Sequence, residues 1–310
     1  MKNGFTDIPK YKLENFRHIH RQNNPGSDFG NNIPDDSKII EGFEIYSSDG
    51  MVPSKGPLKS IFYRIGITVT GSLNMQVGLD EYGHRPGTLT FTFPSQIFST
   101  SNLSDDAFGY YMFFTPEFLN DIIPSIKIAD EFPFYDISGR PVFQIENDEL
   151  ENILLLVTKI NTELQYKKSG RNKAIKMYVY LILLEARRSY ERQNMANANC
   201  FLSDCSKLIN RFKKLVTQYY LDKKQVNDYA QMLSVSPNHL NRIVKENTGK
   251  TASEAIKEMI LQEAKSLLLY TENSVSEIAY RLNFSDPASF NRFFKNSTNE
   301  TPLAHRSRHN

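Results

Sequence analysis

Two stretches decide the fold: Val226-Asn-Asp-Tyr-Ala-Gln-Met-Leu-Ser-Val-Ser-Pro-Asn-His-Leu-Asn-Arg-Ile-Val-Lys245 and Val275-Ser-Glu-Ile-Ala-Tyr-Arg-Leu-Asn-Phe-Ser-Asp-Pro-Ala-Ser-Phe-Asn-Arg-Phe-Phe-Lys295. Each reads as a short helix, a tight turn and a second helix, a unit that lays its second helix in a DNA major groove. In the first, Tyr229, Ala230, Leu233, Val235, Leu240 and Ile243 supply the apolar positions at which two steeply crossed helices meet. Ala230 stands at the closest approach, where a larger side chain would push the helices apart. Ser234 takes the turn, Ser236 caps the second helix and Pro237 opens it. The second unit repeats the pattern with Ile278, Ala279, Leu282 and Phe284. Asn283 takes the turn, since Asn tolerates a left-handed backbone. This turn is one residue longer, so Phe290 and Phe293 are expected to pack, with Asp286 as N-cap and Pro287 as first helical residue. Ser274 and Glu277 form a capping box.

Between the units, Gly249 ends a helix and Thr251 with Glu254 makes another capping box. A proline-free helix then runs to about Tyr270, with an apolar stripe of Ala255, Ile256, Met259, Ile260, Ala264, Leu267 and Leu268. It reads as a strut that sets the separation of the two units.

A chain of 310 residues suggests about two domains at roughly 150 residues each. No stretch approaches the ~18 apolar residues of a membrane span, and the N-terminus lacks a signal-peptide order. Cys200 and Cys205 form neither a metal-binding nor a disulfide pattern, so a reducing cytoplasm, near the nucleoid, is the expected location. The formal charge of +2 conceals an asymmetry. Residues 201–310 carry 16 Lys and Arg against 11 Asp and Glu, whereas residues 1–200 carry 21 against 24. A basic C-terminal part suits a polyanion partner.

Residues 1–37 are polar and broken by Asn-Pro-Gly and Asn-Asn-Ile-Pro clusters, which predicts a loose arm. His18 and His20 read as exposed arm histidines. Residues 38–145 are rich in short alternating runs, including 42–46, 60–70, 72–77, 88–93 and 110–114, which predict a small sandwich or barrel. Along one run Leu89, Phe91 and Phe93 alternate with Thr88, Thr90 and Thr92. Thr115-Pro-Glu-Phe-Leu-Asn-Asp-Ile-Ile123 predicts a short helix. Residues 146–192 predict two helices, the first striped by Leu150, Ile153, Leu154, Val157, Ile160 and Leu164. Covering the barrel and forming a homodimer are both open roles for them. Residues 193–204 read as a linker, and 205–310 as the helical domain.

Arg85-Pro-Gly-Thr-Leu-Thr-Phe91 followed by Pro94-Ser-Gln-Ile-Phe98 resembles the sensor domain of AraC-type regulators, a cupin-like barrel. His84 is the only histidine in that region, too few ligands for a catalytic metal. Residues 279–295, followed by Thr301-Pro302, resemble the C-terminal signature of the AraC/XylS family over about 208–308. The sequence departs from the family where Asn283 and Asn299 replace Gly and where Ile260 replaces Arg. The expected fold is therefore α+β with two domains: an N-terminal cupin-like β-barrel with trailing helices, and an all-α C-terminal domain with two helix-turn-helix units joined by a long helix.

The resemblance implies that the two second helices enter successive major grooves of double-stranded DNA. Asn238, His239, Asn241 and Arg242 in the first, and Ala288, Asn291 and Arg292 in the second, lie off the packing stripe as candidate readers. Asn suits adenine and Arg suits guanine. Lys245 and Lys295 are placed on phosphates. Stronger base discrimination is expected from the first unit. The expected activity is that of a transcriptional regulator, with RNA polymerase as a further partner if it activates and no enzymatic role, cofactor or metal. A small-molecule effector would sit inside the barrel, lined by Phe62, Arg64, Met75, Phe91, Phe93 and Tyr111. The rival readings are a barrel that only dimerises and a cupin-type enzyme with a helical accessory domain.

Overall fold

The structure is a computed structural model that describes residues 13–22, 26–53, 55–124, 127–136, 139–197 and 204–309. Among the described residues, nine strands form two antiparallel sheets. The five-stranded sheet has the order β1 (Phe43–Ser47), β8 (Phe108–Phe114), β3 (Tyr63–Thr70), β6 (Thr88–Thr92) and β9 (Val142–Gln144). The four-stranded sheet has the order β2 (Lys55–Lys59), β7 (Ile97–Ser101), β4 (Leu73–Val77) and β5 (Asp80–His84). The β-rich region expected at 38–145 is there, but as two facing sheets, and among the described residues they do not close into a barrel.

Four strands were not legible in the sequence. β2 carries Gly56 and Pro57, which read as turn; its register to β7 shifts between Lys55 and Leu58, the irregularity that accommodates them. β5 contains Asp80, Glu81 and Gly83 and holds its place by pairing with β4 along all five of its residues. β7 and β9 are short runs whose partners lie far away in sequence. The segment from Thr115 to Ile123, expected as a helix, is instead a series of hydrogen-bonded turns.

The five-stranded sheet is buried on both faces. Toward the helices it presents Ile45, Ile65, Ile67, Leu89, Phe91, Met112, Phe114 and Phe143, which share a core with α3 (Asn147–Tyr166) and α4 (Arg171–Asn197). Ile153, Val157, Ile160 and Leu164 are the fully buried part of the α3 stripe. Glu146 and Glu149 form the capping box that starts the helix. α4 continues to Asn197, so the helix takes up the first residues of the expected linker. Cys200 and the rest of that linker up to residue 203 lie outside the described residues. A four-residue helix, α2 (Ile128–Glu131), precedes β9.

Between the two sheets lies a second core of Tyr46, Leu58, Phe62, Met75, Val77, Phe98, Tyr111 and Phe113. Part of the expected loose arm fills one end of it. Residues Leu13–His20 form helix α1, and Leu13 and Phe16 are buried in that core. The Phe16 ring lies 4.9 Å from Phe62 and 5.3 Å from Phe113. Helical geometry separates the two histidines: His18 is exposed, whereas His20 is buried and its Nδ1 lies 3.0 Å from the Tyr111 hydroxyl. The sequence showed polarity and breakers here, and the three inward residues are too few to raise a periodic signal.

The helical region comprises α5 (Asp204–Tyr219), α6 (Val226–Met232), α7 (Pro237–Thr248), α8 (Ala252–Tyr270), α9 (Val275–Arg281), α10 (Pro287–Thr298) and α11 (Pro302–His309). The N-terminal half of α8 packs with α5, α6 and α7. Its C-terminal half packs with α9 and α10.

If α1 is structural, Phe16→Ala lowers the stability of the full chain by about 3–5 kcal/mol in urea denaturation. A loose arm would leave the midpoint where it is.

Candidate nucleic-acid interface

The two units are built alike down to single backbone atoms. The Val235 amide donates to the Ala230 carbonyl at 3.0 Å, and the Phe284 amide to the Ala279 carbonyl at 3.0 Å. These bonds close the turns, and both turns pass through a left-handed residue, Ser234 at φ 58° and Asn283 at φ 53°. Ala230 and Ala279 are fully buried, as the crossing of the helices requires. In the first unit Leu240, Ile243 and Val244 face inward; in the second Phe290 and Phe294 are the fully buried pair. Phe293, expected to share that role with Phe290, is half-buried and packs against both helical cores.

Caps fix where each recognition helix begins. The Ser236 hydroxyl accepts from the His239 amide at 3.2 Å. A carboxylate oxygen of Asp286 accepts from the Ser289 amide at 2.7 Å. That bond and the Ser289 hydroxyl hold the Asp286 carboxyl down at about 2, so it stays charged at the positive end of α10. The capping boxes of Thr251 with Glu254 and of Ser274 with Glu277 start α8 and α9.

The candidate readers fall into distinct environments. Asn238, His239, Arg242 and Lys245 are exposed on α7, and Ala288, Asn291, Arg292 and Lys295 are exposed on α10. Arg242 pairs with Glu246 at 3.1 Å and lies 3.4 Å from Nδ1 of His239. Asn291 donates back to the Pro287 carbonyl at 3.0 Å. Asn241 differs: it is half-buried, and its side-chain oxygen accepts from the Ala252 amide at 3.1 Å, tying α7 to the start of α8.

Ile260 is 3% exposed within the first helical core. An arginine at that position would have to leave this core, so Ile260 gains packing where the family pattern has a charge.

The sheet region holds the strut. Glu263 is buried, its carboxylate 3.2 Å from Lys59 Nζ and 3.1 Å from the Tyr220 hydroxyl. Gln262 donates to the Gly78 carbonyl at 2.9 Å, Gln76 donates to Glu258 at 2.8 Å, and Lys213 pairs with Asp80. Ile97 of β7 joins the core of Phe212, Val216, Tyr220 and Met259. None of the candidate readers takes part in this joint. Sequence reasoning missed it, although Gln262 and Glu263 stand out as a polar pair inside the apolar stripe of α8.

The candidate effector residues divide. Phe62, Met75 and Tyr111 lie between the sheets, and Arg64 is buried beside them with its guanidinium 4.9 Å from the Phe98 ring. Phe91 and Phe93 do not join them: both belong to the core on the helix side. The alternation along β6 was correct, but the hydroxyl-bearing face turns inward. Thr68 and Thr90 flank His84 at 3.1 and 3.2 Å. Burial, and then the charge of Arg64, press the His84 imidazole down to about 4. Among the described residues no three His, Cys, Asp or Glu side chains are grouped to hold a metal ion, and no helix is long and apolar enough to cross a membrane.

Paired helix-turn-helix units on a common strut define a class of double-headed DNA-binding domain. Residues 229–308 match the family described as helix-turn-helix domain. Among curated proteins, the chain is 23% identical over 184 residues to the HTH-type transcriptional activator RhaS of Escherichia coli K12. That alignment covers 59% of this chain and 61% of the relative, so the chain spans about three-fifths of its length. Among solved structures, the chain is similar to the C-terminal domain of the two-component response regulator yesN from Fusobacterium nucleatum, at 28% identity over 34% of this chain and 99% of that one, with a TM-score of 0.31. It is also similar to unsaturated fatty acid-bound ToxT of Vibrio cholerae, at 16% identity over 86% of this chain and 97% of that one, with a TM-score of 0.37.

Because Ala279 has no room for more atoms, Ala279→Leu is expected to destabilise the chain by about 1–3 kcal/mol in chemical denaturation, and to weaken DNA binding by displacing α10.

Proposed function

We propose that this chain is a sequence-specific transcriptional regulator that reads a bipartite DNA site in two successive major grooves and is controlled at its N-terminal domain by a small molecule. The observation that carries the reading is the pair of capped recognition helices, each with an exposed polar face and both anchored on α8. Arg242 and Arg292 are the principal base readers, with Asn238, His239, Ala288 and Asn291 beside them. Lys245 and Lys295 neutralise phosphates. Asn241 contributes through the α7–α8 joint as well as toward DNA. If the regulator activates, RNA polymerase is its further partner. A second copy of the chain is the proposed partner for the α3–α4 layer, where Leu155, Tyr166, Met177 and Leu181 are large apolar side chains left exposed.

A duplex selected from a random-sequence library tests the DNA reading by gel shift. Arg242→Ala and Arg292→Ala should each cost about 1–3 kcal/mol of binding and relax the preference at one base position. Lys245→Ala and Lys295→Ala should weaken all sequences alike and reduce the salt slope by about 0.9 each. Specific binding that survives both arginine substitutions rules out these readers.

For the effector, the supporting observation is Arg64. It is buried, and among the described residues its Nε has no hydrogen-bond partner and no carboxylate pairs with it. Burying an uncompensated charge is costly. Arg64 borders a cavity of about 50 Å³ that Thr68, Met75, His84, Thr90 and Tyr111 also line, room for roughly one or two waters. A single buried cation among hydroxyls suits one negative charge, as on the carboxylate of a small acid. ToxT, bound to a fatty acid, offers a parallel in ligand chemistry. Acetate should raise the melting temperature of the full chain above that in chloride of equal ionic strength, and the neutral acetamide should not. Arg64→Met should remove the response while keeping the fold. Equal responses from the two chains would place the anion elsewhere.

A further inference from the structure

The strut is not the only tie between the two units. Helix α8 belongs to the cores of both units, but residues 271–274 between α8 and α9 have no helical or strand structure. The fully buried residues of the two units form separate cores, and among the described residues the half-buried Leu221, Phe284 and Phe293 pack against both. A helix anchored in two cores sets their distance. Arg306 of α11 also holds the 271–274 connection to α8, donating to the carbonyls of Leu268, Thr271 and Asn273, so the angle between the two units is left to the mid-α8 backbone and to the contacts the units make with each other.

A second tie spans the units at this point. The segment joining α5 to α6 belongs to the first unit. From it, Lys224 Nζ donates to the carbonyls of Leu282 and Asn283, both at 2.6 Å, and lies 3.9 Å from the centroid of the Phe284 ring. These carbonyls lie at the C-terminal end of α9, where the helix dipole favours a cation. Burial lowers the pKa of the ammonium. In the opposite direction, the Asn283 side-chain amide donates to the Leu221 carbonyl at 3.1 Å and to an Asp222 carboxylate oxygen at 3.2 Å. Asn283 is the left-handed turn residue of the second unit. Glycine would adopt that backbone with less strain but would bring no amide. The asparagine therefore does two things at one position: it makes the turn, and it fastens the turn to the other unit.

We propose that Lys224 and Asn283 form a clamp that fixes the angle between the two recognition helices, and so determine which half-site spacing the chain accepts. They are positioning residues, since neither belongs to a recognition helix. The inference rests on the reading of the chain as a binder of bipartite DNA.

The test uses the full chain and its library-selected duplex, with the two half-sites located by base substitution. Two further duplexes carry one base pair added or removed between the halves. Lys224→Met keeps an apolar stem against Phe284 and loses the donor; Asn283→Gly keeps the turn and loses the amide. Thermal melting confirms that both variants fold. The wild-type chain should lose about tenfold or more in affinity on either altered duplex. The variants should bind the parent duplex nearly as well as wild type and lose much less on the altered ones. Variants that keep the wild-type spacing penalty, or that weaken equally on all three duplexes, overturn the clamp. A wild-type chain that selects no duplex overturns the DNA reading itself.

Discussion

The structure depends on the burial of α8. A helix exposed on one side needs an apolar stripe; α8 is enclosed by three partners. Ala255, Ile256, Met259 and Ile260 serve the first helix-turn-helix core, and Ala264, Leu267 and Leu268 serve the second. A further side faces the strands. There the buried residues include Gln262 and Glu263, and burying them is tolerable because each is bonded: Glu263 to Lys59 and Tyr220, Gln262 to the Gly78 carbonyl. Removing Lys59 alone would leave a buried carboxylate short of its cation, which is costlier than losing a surface ion pair. The polar seam therefore fixes how the sheets sit on the helix, while the apolar flanks supply the gain from burial.

The C-terminal half was legible because its constraints are local. An alanine at a helix crossing, a cap three residues before the amide it accepts from, and a turn residue that tolerates positive φ all lie within a dozen residues of one another. Ser236, Asp286, Thr251 and Ser274 are caps in the structure as the sequence predicts. Phe293 and Phe294 mark a limit of local pattern: they correspond to Ile243 and Val244, both buried in the first unit, but in the second unit Phe294 is fully buried while Phe293 is half-buried between the two cores.

The N-terminal half was legible in class and not in detail. Alternation along β6 shows that its two faces differ; it does not say which face meets which neighbour. Helices α3 and α4 bring a large apolar surface to one side, so Leu89 and Phe91 go to them, and the threonines turn toward the other sheet. Of the strands missed, β5 pairs with the adjacent β4 and was hidden by its own Asp80, Glu81 and Gly83, whereas β2 and β9 are held by partners distant in sequence. The joint on α8 was invisible for the same reason, since Lys59 and Glu263 are 204 residues apart.

Strand β4 has a consequence for what the chain tolerates. Its side chains alternate between two committed surroundings. Met75 and Val77 enter the space between the sheets, and Gln76 between them reaches Glu258 on α8. A sheet edge open to solvent absorbs a one-residue deletion by exchanging polar and apolar faces at modest cost. Here the exchange would send Gln76 into the core and a thioether to meet a carboxylate, failing on both sides at once. Length variation in this protein should therefore collect in loops such as 102–107 and be excluded from β4, whose register is fixed from inside the sandwich and from the helix at its back.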